Sequence, residues 1–180
     1  QQSIPKIILL GSTEVHLWGG TPTEIAGHGN DSWKLLENAG VRNFGFSGDR
    51  IENILYRVEH GELEGYTAKK IIILPGIEDL TSHTDDEIIK GIKFLLDAIK
   101  LKQPQSFIVL AGYLPVKSME SRVNNLNKKI AFQAGISKIK YTDPGKLLLN
   151  SKGKINKSLY INGINPNEKG YRLLVKSFIK

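Results

Sequence analysis

Several polar or small residues that directly follow apolar segments could together support acyl transfer or ligand binding. Six of them are the main candidates for such a site: Ser12, Thr13, Gly48, Glu78, Asn162 and Asn165. Acyl transfer needs a hydroxyl nucleophile, a base that takes its proton, and donors aimed at the developing oxyanion. The two asparagines stand three residues apart, but an amide cannot accept and return a proton near neutral pH. The set therefore contains hydroxyls without a conventional base.

Histidine is the side chain best suited to supply that base, and the chain has four of them: His16, His28, His60 and His83. His83 follows an apolar segment by a few residues, and His16 is three residues after Thr13, so either could belong to a rewired site. A structural or surface role is nevertheless the expectation for any single histidine. No histidine pair has the spacing of a metal site and the chain has no cysteine, so neither a metal nor a cofactor is predicted.

The elements that must position these residues alternate between buried strands and amphipathic helices. The predicted strands are Lys6–Leu10, Val41–Phe46, Lys70–Leu74, Ser106–Ala111 and Ile136–Tyr141. The predicted helices begin with a Ser32 cap, at Ile51, at Asp85, at Met119 and with Pro166 in the first turn. This alternation predicts an α/β fold of three layers, a doubly wound parallel sheet in one domain spanning residues 1–180. Ligands of such folds lie beyond the carboxyl ends of the strands.

Four of the loops beyond those strand ends resemble the four sequence blocks of the SGNH (GDSL-type) hydrolase family. The matching stretches are residues 7–14 (IILLGSTE), 43–49 (NFGFSGD) with 61–64 (GELE), 74–79 (LPGIED) and 162–167 (NGINPN). The nearest subgroup is similar to the catalytic subunits of platelet-activating factor acetylhydrolase and related bacterial esterases. The resemblance implies a flavodoxin-like fold and an ancestral activity on small acyl esters.

The same resemblance implies that the catalytic residues are substituted. Thr13 stands where the family has its nucleophilic serine, while Gly48 keeps the glycine that donates to the oxyanion. Glu78 replaces the asparagine that is the other oxyanion donor. Asn162 and Asn165 replace the aspartate and histidine of the last block. A shift of one residue in the first block would instead make Ser12 the equivalent of the nucleophile.

The sequence therefore favours a pseudoenzyme that binds a ligand or a partner at the former esterase cleft. The candidate ligands are a small molecule, a glycan or a lipid-like molecule. The six candidate residues would contact the ligand, and Trp18 could stack on it. One alternative is a weak or rewired esterase that acts on small acyl esters. Another alternative is a structural or assembly subunit, and two copies of the chain could form a homodimer.

Charge is distributed unevenly along the chain, whose net charge is +7. Residues 1–99 hold 9 basic and 15 acidic side chains, whereas residues 100–180 hold 16 and 3. The basic half could dock an acidic partner, but nucleic acid is disfavoured because no basic segment alternates with stacking aromatics. The chain begins at Gln1 and its only methionine is Met119, as expected of a secreted or periplasmic protein processed at its N terminus. No apolar run is long enough to span a membrane.

Overall fold

The computed structural model of the chain describes residues 5–20 and 27–179. Strands and helices alternate along this part of the chain, as the sequence predicts. The strands are β1 (Ile7–Gly11), β2 (Val41–Gly45), β3 (Lys70–Leu74), β4 (Phe107–Ala111) and β5 (Lys140–Thr142). The helices are α1 (Thr13–His16), α2 (Asn30–Asn38), α3 (Ile51–Arg57), α4 (Ile77–Ser82), α5 (Asp85–Lys102), α6 (Glu120–Ile136) and α7 (Glu168–Ile179).

The strands form one parallel sheet in the order β2-β1-β3-β4-β5. The order reverses between β1 and β3, which is the switch point where doubly wound sheets open a crevice at their carboxyl edge. Gly11 at the end of β1 lies beside Gly45 of β2 and Leu74 of β3. The loops that follow these three strands therefore leave the sheet at adjacent points, and the predicted three-layer α/β fold is confirmed.

Helices cover both faces of the sheet, and the continuous apolar strands follow from this double burial. On β3, Ile71 and Ile73 belong to the core beneath α3, α5 and α6, whereas Ile72 and Leu74 belong to the core beneath α2 and α7. All four side chains are at most 1% exposed. Full burial of such a side chain stabilises the fold by about 1.5–3 kcal/mol. If apolar and polar residues alternated along the strand, only one face would be apolar, and the helices on the other face would have no apolar surface to pack against.

The long helix α5 begins at a capping box formed by Thr84 and Glu87. The Thr84 hydroxyl accepts a hydrogen bond from the backbone N–H of Glu87 at 3.3 Å, and the Glu87 carboxylate accepts one from the Thr84 N–H at 2.8 Å. Both groups satisfy backbone donors that a helix start otherwise leaves unpaired. None of the helices in the described ranges is long and apolar enough to cross a bilayer.

Some predicted element boundaries are wrong. The fifth strand is not Ile136–Tyr141, because α6 continues to Ile136 with Ala134 buried on its inner side, and β5 is only Lys140–Thr142. Ser32 does not cap α2 but lies within its first turn, where its hydroxyl donates to the carbonyl of Gly29 at 2.9 Å. Helix α6 starts one residue after Met119, and α7 starts at Glu168, two residues after Pro166.

Candidate functional site

The site forms where the loops after β1, β2 and β3 meet at the carboxyl edge of the sheet. Gly11 allows this close approach, since a Cβ at its position would lie 2.5 Å from the carbonyl oxygen of Leu74. Directly beyond Gly11, Ser12 is buried and Thr13 opens the short helix α1. Helix α4 begins after Gly76 and carries Glu78 in its first turn.

The carboxylate of Glu78 bridges the two hydroxyls that follow β1. Ser12 Oγ donates a hydrogen bond to Glu78 Oε2 at 2.6 Å, and Thr13 Oγ1 donates to Glu78 Oε1. Each oxygen of the carboxylate is thus occupied by one hydroxyl proton.

The loop after β2 closes on the same threonine. The backbone N–H of Gly48 donates to Thr13 Oγ1 at 3.0 Å, and the Ser47 hydroxyl lies 3.1 Å from that oxygen. Gly48 has φ +87°, a left-handed conformation that glycine adopts without the steric cost of a side chain. The glycine N–H therefore points at the hydroxyl of Thr13, where it polarises that oxygen.

A second carboxyl group, that of Glu14, is buried beneath this cluster. Its Oε1 accepts the backbone N–H of Ile77 at 3.0 Å, whereas its Oε2 is buried without a hydrogen-bond partner. A Cβ at Gly76 would lie 2.6 Å from both Glu14 Oε2 and Glu78 Oε2, so the two carboxyl groups are close neighbours. Burial, together with the negative charge of Glu78, raises the pKa of Glu14 from 4.5 to about 8. Glu14 is therefore protonated near neutral pH.

Of the two asparagines of the last block, Asn162 stabilises its own loop. Asn162 Oδ1 accepts the backbone N–H groups of Ile164 and Asn165, each at 3.0 Å. Asn165 Oδ1 is buried without a hydrogen-bond partner. In the described part of the chain, no hydrogen bond joins either asparagine to Thr13 or Glu78. The structure thus brings together four of the six candidates, Ser12, Thr13, Gly48 and Glu78, and leaves the asparagine pair outside their hydrogen-bond network.

The described contacts of Thr13 do not include a histidine. The described hydrogen-bond partners of Thr13 are Glu78, Ser47 and Gly48, and no histidine is among them. His83 lies instead beside two other carboxylates, with Nδ1 3.6 Å from Asp79 Oδ1 and Nε2 3.6 Å from Glu52 Oε1.

Glu52, Asp79 and His83 form the one group of three side chains in the described ranges that could hold a metal ion. Their ligand atoms lie within 4.8 Å of one another. Asp79 is already engaged, because Oδ1 accepts the N–H of Ile51 at 3.0 Å and Oδ2 accepts the hydroxyl of Tyr113 at 2.8 Å. Asp79 therefore ties α4 to the start of α3, which is a structural task that needs no metal.

Trp18 does not contact the site. It is 0% exposed, its ring centroid is 4.9 Å from that of Tyr171 and 5.5 Å from that of Phe178, and its indole N–H donates to Ser32 at 3.0 Å. Its ring faces are used by core packing and its one donor is satisfied, so it offers no surface to a ligand. The prediction that Trp18 stacks on a ligand is wrong for this arrangement.

The sequence reasoning missed Glu14 and Ser47 as members of the site. A glutamate in a short polar stretch predicts an exposed side chain, and nothing near Glu14 in the sequence signals its burial. Ser47 had a usable signal, because it directly precedes Gly48 in the loop that should approach the nucleophile position.

A family model and several known proteins match most of this chain. The model of the GDSL-like Lipase/Acylhydrolase family matches residues 13–173. The alpha1 subunit of platelet-activating factor acetylhydrolase IB is 27% identical over 158 residues in Rattus norvegicus and 26% in Homo sapiens. Those alignments cover 84% of this chain and 64% of each relative, so the chain spans less than two thirds of their length.

Solved structures show the same fold at low sequence identity. A GDSL-like lipase from Bacteroides thetaiotaomicron matches with a TM-score of 0.76 and 18% identity over 97% of this chain and 87% of the other. A mutant acetyl-xylooligosaccharide esterase from Geobacillus Stearmophilus matches with a TM-score of 0.74 and 17% identity, covering 97% and 92%.

Proposed function

This chain belongs to the GDSL-like lipase/acylhydrolase family, and we propose that its cleft binds a hydroxyl-rich ligand, such as a glycan, without hydrolysing esters. One observation carries the proposal: both carboxylate oxygens of Glu78 accept hydrogen bonds from the hydroxyls of Ser12 and Thr13. A negative group thus occupies the place at which an acyl-transfer site needs donors.

The electrostatics of this arrangement oppose a tetrahedral intermediate. The oxyanion would form beside the charge of Glu78, while the Gly48 N–H already donates to Thr13 Oγ1. Losing a single oxyanion donor costs about 10²–10³ in rate. Here the side-chain donor is replaced by an acceptor of like charge, which costs more than a simple deletion.

Proton transfer is blocked as well. Asn165 occupies the position at which the family has its histidine, and an amide cannot act as general base. Asn162 uses its side-chain oxygen to hold two backbone N–H groups of its own loop. The hydroxyl of Thr13 therefore lacks the base–orienter pair that activates a nucleophile.

The accessible groups suit a ligand with several hydroxyls. Gly48 is exposed, and Thr13 and Glu78 are half-buried at the edge of the sheet. A carboxylate accepts two hydrogen bonds at once, and the hydroxyls of Thr13 and Ser47 can both donate and accept. A sugar that brings two neighbouring hydroxyls can replace Ser12 and Thr13 as partners of Glu78 without leaving that carboxylate unpaired.

A weak hydrolase is the second candidate, favoured by the hydrogen bond from Thr13 to Glu78. In that mechanism Glu78 removes the proton of Thr13 as its oxygen attacks an acyl carbon, and then returns the proton to the departing alcohol. A water molecule that gives its proton to Glu78 then attacks the acyl ester of Thr13, which releases the acid and restores the Thr13 hydroxyl. Turnover would use Thr13 as the nucleophile and Glu78 as the base, so it would vanish in both Thr13→Ala and Glu78→Gln.

Hydrolysis of p-nitrophenyl acetate separates the two functions. We expect the wild-type chain and Thr13→Ala to give the same slow rate. A variant that restores the family residues, with Thr13→Ser, Glu78→Asn, Asn162→Asp and Asn165→His combined, should be faster by at least about a hundredfold. Thr67→Ala, a substitution at an exposed threonine elsewhere, is the control. The proposal would be overturned in favour of the weak hydrolase if the wild-type chain turned over the ester, Thr13→Ala abolished that turnover and Thr67→Ala left it intact.

Ligand binding is tested with xylo-oligosaccharides and chito-oligosaccharides by saturation-transfer NMR and calorimetry. We expect saturable binding of at least one series, weakened about tenfold or more by Glu78→Gln because a hydrogen bond to a charged group contributes about 1.5–3 kcal/mol. Glu59→Gln, at an exposed glutamate on the π-turn after α3, is the matched control. If Glu78→Gln and the wild-type chain bind the oligosaccharide with equal affinity, the ligand does not bind at this cleft.

A further inference from the structure

The layer of helices on the α7 side of the sheet leaves part of the sheet uncovered. Residues Lys70, Phe107, Val109, Lys140 and Thr142 alternate onto this face from β3, β4 and β5, in register with one another. Over β1 and the centre of the sheet the face is covered by α2 and α7. Over β5 and the start of β4, the described residues that cover it are those of the 3₁₀ turn Pro144–Leu148 and the edge of α7.

A groove of about 830 Å³ results, which we call the outer groove. Its apolar lining is Phe107, Val109, Leu147 and Leu173. Val109 is 5% exposed and forms the floor, whereas Phe107, Leu147 and Leu173 are 58%, 48% and 43% exposed on the walls. The volume lies within the range of small-molecule sites, and exposed large apolar side chains that converge in this way mark a binding surface.

The polar rim of the outer groove is basic. Lys140, Arg172 and Lys176 line it together with Lys70, and no acidic residue is among its described lining residues. Arg172 is 3.5 Å from Glu168, and Lys70 donates to the carbonyl of Phe178 at 2.9 Å. Lys140 and Lys176 are exposed and have no ion pair with any described acidic residue. These two ammonium groups line the groove beside its apolar walls, and no described carboxylate pairs with them.

We propose that the outer groove binds a single-chain amphiphile with an anionic head group, such as a medium-chain fatty acid. The alkyl chain lies on Val109 between Phe107 and Leu173, which removes these side chains from water. The carboxylate lies at the rim between Lys140 and Lys176, where charge-assisted hydrogen bonds satisfy both cations. The groove is separate from the cleft around Thr13, because it reaches Lys70 and Phe107 at the amino-terminal ends of β3 and β4, whereas the cleft lies at the carboxyl edge of the sheet.

Calorimetry with dodecanoate at monomeric concentrations tests this site on the full chain. We expect saturable 1:1 binding, no saturation with acetate, and no saturation with dodecyltrimethylammonium. The first control lacks the apolar contacts and the second reverses the head-group charge. Added salt should weaken binding, since the lysines are exposed and their attraction is screened.

Charge reversal locates the site. Lys140→Glu and Lys176→Glu should each weaken dodecanoate binding by about tenfold or more, because a charge-assisted contact becomes a repulsion. Both residues are exposed, so the fold should survive, and circular dichroism checks this. Lys128→Glu, at an exposed lysine of α6 beneath the opposite face of the sheet, should leave the affinity unchanged.

Four results would overturn the proposal. Absence of saturable dodecanoate binding would exclude the ligand class. Affinity that survives both lysine reversals would place the ligand elsewhere. Concentration-dependent dimerisation that Leu173→Asp abolishes, and with which dodecanoate does not compete, would identify the groove as an interface between copies of this chain. Recruitment of the chain to anionic vesicles without binding of monomeric dodecanoate would identify a membrane contact instead.

Discussion

Replacing Glu14 with glutamine tests the electrostatics of the site directly, because the raised pKa of this buried carboxyl group makes the free energy of unfolding depend on pH. In the folded chain burial and the neighbouring Glu78 raise its pKa to about 8, compared with 4.5 in an exposed glutamate. Glutamine has the same shape and can still accept the N–H of Ile77, but it cannot ionise. The variant therefore removes the titration and retains the packing.

The sign and size of the effect follow from proton linkage. Below pH 4.5 the carboxyl group is protonated in both the folded and the unfolded chain, so its contribution to stability is fully present. Between pH 4.5 and 8 only the folded chain keeps the proton, and the free energy of unfolding falls by about 1.4 kcal/mol per pH unit. The total loss attributable to Glu14 is on the order of 5 kcal/mol by pH 8.

Urea denaturation at pH 5, 6, 7 and 8 measures this loss as a difference between Glu14→Gln and wild type, which cancels the other titrating groups. We expect the variant to equal wild type to within about 1 kcal/mol at pH 5 and to gain about 1.4 kcal/mol for each further pH unit. In Glu78→Gln the neighbouring charge is absent, so the pKa of Glu14 should fall and the loss should end at a lower pH. Glu59→Gln, at an exposed site, should show a flat difference. A stability difference between Glu14→Gln and wild type that does not change with pH would refute the reasoning.

Three further substitutions test how the loops and helices around the site are held, all by urea denaturation. Asn162→Ala should lower stability by about 1 kcal/mol by freeing two backbone N–H groups, whereas Asn162→Asp keeps the acceptor oxygen; equal losses in the two variants would contradict this role. Thr84→Ala should lower stability by about 1 kcal/mol through loss of the α5 cap, and no loss would show that water replaces the threonine hydroxyl. Tyr113→Phe should lower stability by about 2 kcal/mol at pH 7 by removing a donor to the buried carboxylate of Asp79. Burial raises the pKa of Asp79 and the tyrosine bond opposes that rise, so the loss should shrink as the pH falls and Asp79 is protonated; a larger loss at pH 4 would contradict the assignment.

The sequence alone determined the layers of the fold. Runs such as 71–74, apolar at every position, predict a strand buried on both faces, and the amphipathic segments between such runs predict the covering helices. Local patterns also identified the loops at the carboxyl edge, where Thr13 and Glu78 lie. These features depend on residue type and on spacing along the chain, which the sequence contains.

The tertiary structure decided which of those residues meet and which groups lose contact with water. Glu14 and Glu78 are 64 positions apart in the sequence, and only the meeting of β1 with β3 makes one raise the pKa of the other. The same applies to Trp18, whose aromatic type suits a ligand or a core equally until Tyr171 and Phe178 pack on it. The basic second half became an argument for a ligand only where Lys140 and Lys176 flank an uncovered apolar strip of the sheet. Burial and charge coupling are set by distances through space, so they cannot be read from spacing along the chain.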